Sequence, residues 1–113
     1  MVDDAEEIDP QRCLKRMWKM APELAQAKAH RVYLEEFSKT IKARLMKSCD
    51  QTAVGAQERE AYASEEYEAH LRGLQAAVEA EETLRWRMVQ AQAAIEVWRS
   101  QQASARGMVR GAQ

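Results

Sequence analysis

Between Ser64 and Ala105 the chain contains no proline and a single glycine, Gly73. A run of that length, built mainly from Ala, Glu, Gln, Arg, Met and Leu, reads as one long helix, since these residues lose little freedom in a helical backbone. Two apolar sets recur along it at helical spacing. The first is Leu74, Ala77, Leu84, Met88, Ala91, Ile95 and Trp98, and the second is Leu71, Val78, Trp86, Val89, Ala93 and Val97. At about 100° per residue the two sets lie well over 100° apart around the axis. A helix with two apolar sides is not satisfied by one neighbouring helix. Glu81 falls in the first set and Glu82 in the second. An acid buried in a helical seam can set register at a cost in stability. The expected placement of both is the edge of the stripe, with the carboxylate reaching outward.

The rest of the chain fits an all-α fold. Of 113 residues, 4 are Gly and 2 are Pro, and aromatics make up 6%. β-Branched residues rarely occur in runs, so no sheet is expected. Residues 1–9 are an acidic flexible lead. Asp9-Pro10 is a helix start, with Asp as N-cap and Pro at the first helical position. A helix over about 10–20 follows, with Leu14, Met17, Trp18 and Ala21 on one side. Pro22 is expected to stop or kink it. A second helix covers 22–48, with Leu34, Phe37, Ile41 and Leu45 stepping by three and four. The last covers about 57–105 with a break near Ser64, which resembles an internal N-cap followed by Glu65 and Glu66. Residues 106–113, with Gly107 and Gly111, are expected to fray.

Charge is segregated. Residues 11–49 hold ten bases and three acids, residues 56–82 eight acids and two bases, and residues 84–113 five bases and one acid. A basic second helix suits an antiparallel fold onto the acidic start of the last one. That register brings Leu45 near Tyr62, Phe37 and Leu34 near Tyr67 and Leu71, and Trp18 beside Met88. The expected architecture is a long antiparallel helical hairpin with a Pro-kinked N-terminal arm, assembling into a helical bundle. Leu71, Val78, Trp86, Val89, Ala93 and Val97 would leave an apolar patch that a lone soluble chain seldom carries. A dimer or higher oligomer of the coiled-coil or four-helix type would cover it. The alternative is a monomeric three-helix bundle whose own first arm folds back over the second stripe.

Most chemistry is absent from the pattern. The acidic start has no apolar signal-peptide core, and no apolar run is long enough to span a bilayer. Cys13 and Cys49 form no CxxC pair and read as reduced thiols in a cytoplasmic protein, packed as small apolar groups. A di-metal carboxylate bundle needs Glu-x-x-His. Here Tyr67 precedes His70 by three residues and Ala27 precedes His30. No glycine-rich phosphate loop follows a strand. No catalytic residue, cofactor or metal is expected, and the chain reads as a non-enzyme.

One functional constellation stands out. The antiparallel register gathers Arg12, Lys15, Arg16, Lys19, Arg85, Arg87 and Arg99 at one end, with Trp18, Trp86 and Trp98 in the same half. Bases neutralise phosphates, and aromatic planes stack unpaired bases. Against this stands the formal net charge of −1, unlike most nucleic-acid binders. A Trp at helical spacing also serves as core, and an Arg beside it as the rim of an interface. Tyr62 and Tyr67 are read as helix–helix core near the connection rather than as anchors for a partner.

The stretch from Tyr33 onward resembles a family of small proteins of tailed bacteriophages and prophages. The matching elements are Tyr33-Leu34-Glu35-Glu36-Phe37, Lys42-Ala43-Arg44-Leu45-Met46-Lys47 and Ala56-Gln57-Glu58-Arg59-Glu60-Ala61-Tyr62-Ala63. Leu84-Arg85-Trp86-Arg87, Ala91-Gln92-Ala93 and Ile95-Glu96-Val97-Trp98-Arg99 complete them. The resemblance implies a product of the phage early region, near recombination and replication genes, located in the host cytoplasm. It carries no activity over to any residue. The leading expectation is therefore a non-enzymatic, homo-oligomeric accessory protein of phage DNA recombination or replication. Its partners would be itself and single-stranded nucleic acid or a partner enzyme. The alternatives are an inhibitor or adaptor docking on a host protein through the acidic stretch from Glu58 to Glu68, and a structural or assembly component of the virion.

Overall fold

The computed structural model describes residues 7–112, and every regular element among them is helical. Helix α1 spans Pro10–Ser48, α2 Val54–Tyr62 and α3 Glu65–Ala112. Residues 1–6 of the acidic lead and Gln113 lie outside the described residues.

The start of α1 is fixed by Asp9. Its carboxylate accepts hydrogen bonds from the backbone N–H of Gln11 at 3.0 Å and of Arg12 at 3.3 Å. The Asp9 carbonyl accepts from Cys13 N–H at 3.1 Å. These bonds satisfy donors that a helix N-terminus otherwise leaves orphaned. Of the stop or kink expected at Pro22, the stop does not occur. Pro22 lies inside a continuous α1, on an exposed position. Water can therefore solvate the carbonyl that lost its donor, so proline imposes a cost in stability without a break.

Helix α2 is a helix of its own, and it takes in Val54 and Gly55, which lie before the helix start expected near 57. Its N-cap residue Ala53 has no side-chain oxygen to offer. The entry is instead tied by Gln57, whose side-chain amide donates to the Gln51 carbonyl at 2.9 Å and whose backbone N–H donates to that of Ala53 at 3.0 Å. Only Ala63 and Ser64 separate α2 from α3. Ser64 caps α3 by accepting from Tyr67 N–H at 3.2 Å, and Glu65, Glu66 and Glu68 occupy the first turn, where the helix dipole favours negative charge. The helix then runs through Gly107 to Ala112. Two isolated glycines among Ala, Arg, Met and Val weaken a helix without terminating it.

The contacts divide the chain into two compact units, one of residues Leu24–Thr83 and one of the residues up to Glu23 with those from Leu84 on.

In the first unit, the later part of α1 packs antiparallel on the early part of α3. The inward positions of α1 are Leu24, Ala27, Arg31, Leu34, Ser38, Ile41 and Leu45, and those of α3 are Tyr67, His70, Leu74, Ala77 and Glu81. The steps alternate between three and four throughout, which is the heptad rhythm of a coiled-coil seam. Ala61 of α2 is buried as well. In the second unit the same rhythm continues with Cys13, Met17 and Met20 of α1, and Leu84, Met88, Ala91, Ile95 and Trp98 of α3. The face expected for the first arm is therefore rotated. Leu14, Trp18 and Ala21 are exposed, and Trp18 retains 77% of its accessible surface rather than resting on Met88.

The core is thin. Met20, Ala61, Ala77 and Ala91 are the buried apolar residues among those described, and none of the large side chains is fully enclosed. Leu71, Val78, Trp86, Val89 and Val97 remain exposed. Ala93 is exposed too. The first arm does not fold over them as the three-helix alternative required.

Candidate functional site

Two kinds of polar arrangement are built on these helices. The first lies in the seam of the unit formed by Leu24–Thr83. Arg31 of α1 reaches across to Glu81 of α3. Its Nε binds one carboxylate oxygen and its terminal amine lies 3.3 Å from the other. The same guanidinium donates to Glu35 one turn along α1 at 2.9 Å. Glu81 keeps 12% of its side-chain accessibility and Arg31 23%. Glu81 is thus paired within the seam rather than reaching outward from its edge, a correction that follows from Arg31 occupying the facing heptad position. The two carboxylates, Glu81 first and then Glu35, hold the Arg31 guanidinium charged well above its ordinary range. One heptad further along α1, Ser38 Oγ and His70 Nε2 share a hydrogen bond of 2.6 Å. With the Ser38 hydroxyl donating to the Leu34 carbonyl at 3.2 Å, the His70 N–H is the donor to Oγ. His70 is 8% exposed and lies against the rings of Phe37 and Tyr67, each with a centroid separation of 6.2 Å. Buried polar groups satisfied in this way favour one register over its neighbours.

Tyr62 and Tyr67 meet edge to face at 5.1 Å. Lys42 places its ammonium 4.9 Å over the Tyr62 ring and 3.4 Å from Glu58. The contact with Tyr62, ahead of the charge of Glu58, raises the Lys42 pKa. These residues close the end of the unit near α2. Phe37 lies beside His70, in line with the expected neighbourhood of Tyr67. Leu71 is exposed and does not join that contact.

The second arrangement lies in the other unit. An open groove of about 360 Å³ is lined by Arg16, Lys19, Met20 and Glu23 of α1 and by Arg87 and Gln90 of α3. Arg16, Lys19 and Arg87 have no ion-pair partner among the described residues. Three cations at hand and one acid at the margin make a surface suited to phosphate or carboxylate groups. The other residues of the expected basic cluster are distributed differently. Lys15 and Trp18 line a separate apolar surface with Gln11 and Leu14. Arg85 stacks over Trp86 at 4.8 Å, with Trp86 58% exposed. Arg99 pairs with Glu96 at 3.1 Å. Arg12 is exposed near the start of α1, and Trp98 is a seam residue. The tryptophans therefore do not interleave with the groove cations.

The heptad phase explains the split. On α3, Arg87 sits on one flank of the seam, whereas Leu71, Val78 and Arg85 sit on the opposite flank and Trp86 on the back. What sequence reasoning missed was Arg31 and Ser38 as seam residues. The signal was available as the alternating three-four spacing from Cys13 to Leu45, but it was masked by the polar and small residues at those positions.

Among the described residues no group of His, Cys, Asp and Glu is arranged to hold a metal ion. Cys13 and Cys49 are free, half-buried thiols. No helix among the described residues is long and apolar enough to cross a membrane. No protein family, curated protein or solved structure matches the chain.

Proposed function

We propose that this chain is a non-enzymatic, self-associating helical accessory protein of phage DNA recombination or replication, and that the groove of Arg16, Lys19 and Arg87 meets the phosphates of single-stranded nucleic acid. The observation that carries the binding half is the placement, from two helices around one groove, of three cations with no ion-pair partner among the described residues. Self-association is supported by the exposed row Leu71, Val78, Trp86, Val89 and Val97 beside a core in which no large side chain is fully enclosed. The resemblance of residues 33–99 to early-region phage proteins supports the setting. With the tryptophans outside the groove, binding rests on charge more than on stacking. It is therefore tolerant of sequence and sensitive to salt.

Fluorescence anisotropy with a labelled single-stranded oligonucleotide tests this. Binding at low salt should weaken as salt rises, and the Arg16→Glu, Lys19→Glu, Arg87→Glu triple variant should abolish it. Binding that the triple variant retains would move the site elsewhere. A lack of binding at any salt would remove nucleic acid from the account.

A further inference from the structure

Within the unit of residues up to Glu23 and from Leu84 on, the two flanks of the seam differ. Residues one position before a seam residue, Arg16 before Met17 and Arg87 before Met88, share the basic groove. The other flank belongs to residues one position after, which are Leu14 after Cys13 on α1, and Arg85 and Gln92 after Leu84 and Ala91 on α3. Trp18, Val89 and Glu96 stand one turn further along the same flank. Leu14, Trp18 and Val89 are all exposed. The α1 side of this flank is large, and Leu14 and Trp18 form one surface with Gln11 and Lys15. The α3 side has no aromatic residue at Val89, Gln92, Ala93 and Glu96, all exposed. Four positions spaced in this way frame a hole of the kind that receives one side chain of a facing helix. Met20 and Gln90 line one groove and so stand at about the same level. Stepping back along α1 is stepping forward along antiparallel α3. Trp18 is therefore level with the hole, and Lys15, five residues before Met20, is level with Glu96, six after Gln90.

From these observations we infer that this flank is covered by the same flank of a second copy, about a two-fold axis parallel to the helices. That operation lays α1 of each copy on α3 of the other without a change of level. Trp18 of one copy enters the hole of Val89, Gln92, Ala93 and Glu96 of the other, with Leu14 beside it. Lys15 meets Glu96 at the rim. Each contact is made twice, and such an interface uses one patch on both subunits and closes on itself. A two-fold axis across the helices would instead lay α1 on α1. Between Pro10 and Glu23 that helix carries four bases and one acid, and like charges brought together suppress the arrangement. Trp18 is the anchor, since a tryptophan seated in a pocket and shielded from water carries much of an interface's energy. Arg16, Lys19 and Arg87 lie on the opposite flank, so the basic groove of each copy stays open in the dimer.

This contact is one form of the self-association proposed above and rests on it, and sedimentation equilibrium separates the two. Trp18 is exposed in the single chain, so Trp18→Ala should leave helicity unchanged. It should raise the dimer dissociation constant by about a hundredfold or more, because the contact uses the residue twice. Within its own chain Glu96 pairs with Arg99. Lys15→Glu and Glu96→Lys should each weaken the dimer, and the two together in one chain should restore it. A parent that dimerises while Trp18→Ala dimerises equally well would overturn the inference and leave self-association standing. So would a doubly substituted chain no tighter than its single variants. A parent of single-chain mass at every concentration would overturn both. Should Trp18→Ala lose helicity, Ala93→Arg, which fills the hole from an exposed helical position, takes its place with the same two outcomes.

Discussion

The same two helices, α1 and α3, build both units, and they are finished in different ways. Between Leu24 and Thr83 the seam carries directional polar contacts, Arg31 with Glu81 and Ser38 with His70, and its end is closed by Lys42, Glu58, Tyr62 and Tyr67. The unit of residues up to Glu23 and from Leu84 on has an apolar seam of Met17, Met20, Leu84, Met88, Ala91, Ile95 and Trp98. Its cations Arg16, Lys19 and Arg87 and its tryptophans Trp18 and Trp86 are turned to solvent. Polar groups in a seam sacrifice some burial in exchange for a unique alignment. Polar and aromatic groups outside it contribute little to folding and remain available to a partner. The first unit is therefore read as the part that fixes register, and the second as the part that offers surfaces.

That contrast can be broken at several points. Replacing Pro22 tests whether the unit containing it tolerates proline only at a cost. Since α1 is already helical through this position, Pro22→Ala should raise stability to denaturant by as much as about 3 kcal/mol. No gain would mean that the freed carbonyl has found another partner. Next in size is the seam. Arg31→Ala leaves the Glu81 carboxylate without its partner in a half-buried site and should lower stability to denaturant. The Arg31→Leu, Glu81→Leu pair should recover most of that loss while broadening the amide spectrum of this unit, as alternative registers become accessible. A double variant as unstable as the single one would show that the pair adds stability rather than specificity. Ser64→Ala, which removes the cap of α3, should cost about 1 kcal/mol in the same measurement.

The smallest effect is expected from pH. The Lys42 pKa is raised in the folded chain by Tyr62 and Glu58, so its contribution is full below the ordinary lysine value and is lost as pH rises through the folded one. Lys42→Met should thus be less stable than the parent at neutral pH and should converge with it in strong alkali. A difference that persists there would point to packing of the lysine stem.

Sequence and structure agree where the residues are large and regularly spaced. The all-helical class, the seam set from Leu74 to Trp98 and the two caps at Asp9 and Ser64 were all legible, because periodicity and capping are local properties. Of the two outcomes weighed at Pro22 the stop was misjudged, since a proline on an exposed helical position is a penalty and need not end the helix. The face of the first arm was misjudged for a related reason. Leu14 and Trp18 are the bulkiest residues there, but they stand at exposed positions, and Cys13, Met17 and Met20 are the ones turned inward. The basic cluster was legible in composition but not in arrangement. Placing Arg16, Lys19 and Arg87 on one flank and Trp86 on the back depends on the heptad phase of both helices at once.

The most direct test of this account is the mass of the chain in solution by light scattering across a wide concentration range, with Val89→Asp as the comparison. The account predicts twice the chain mass of 12.9 kDa for the parent and a shift toward the single-chain mass for the variant, with helicity unchanged. A parent that stays at the single-chain mass at high concentration, with a native helical spectrum, would contradict it.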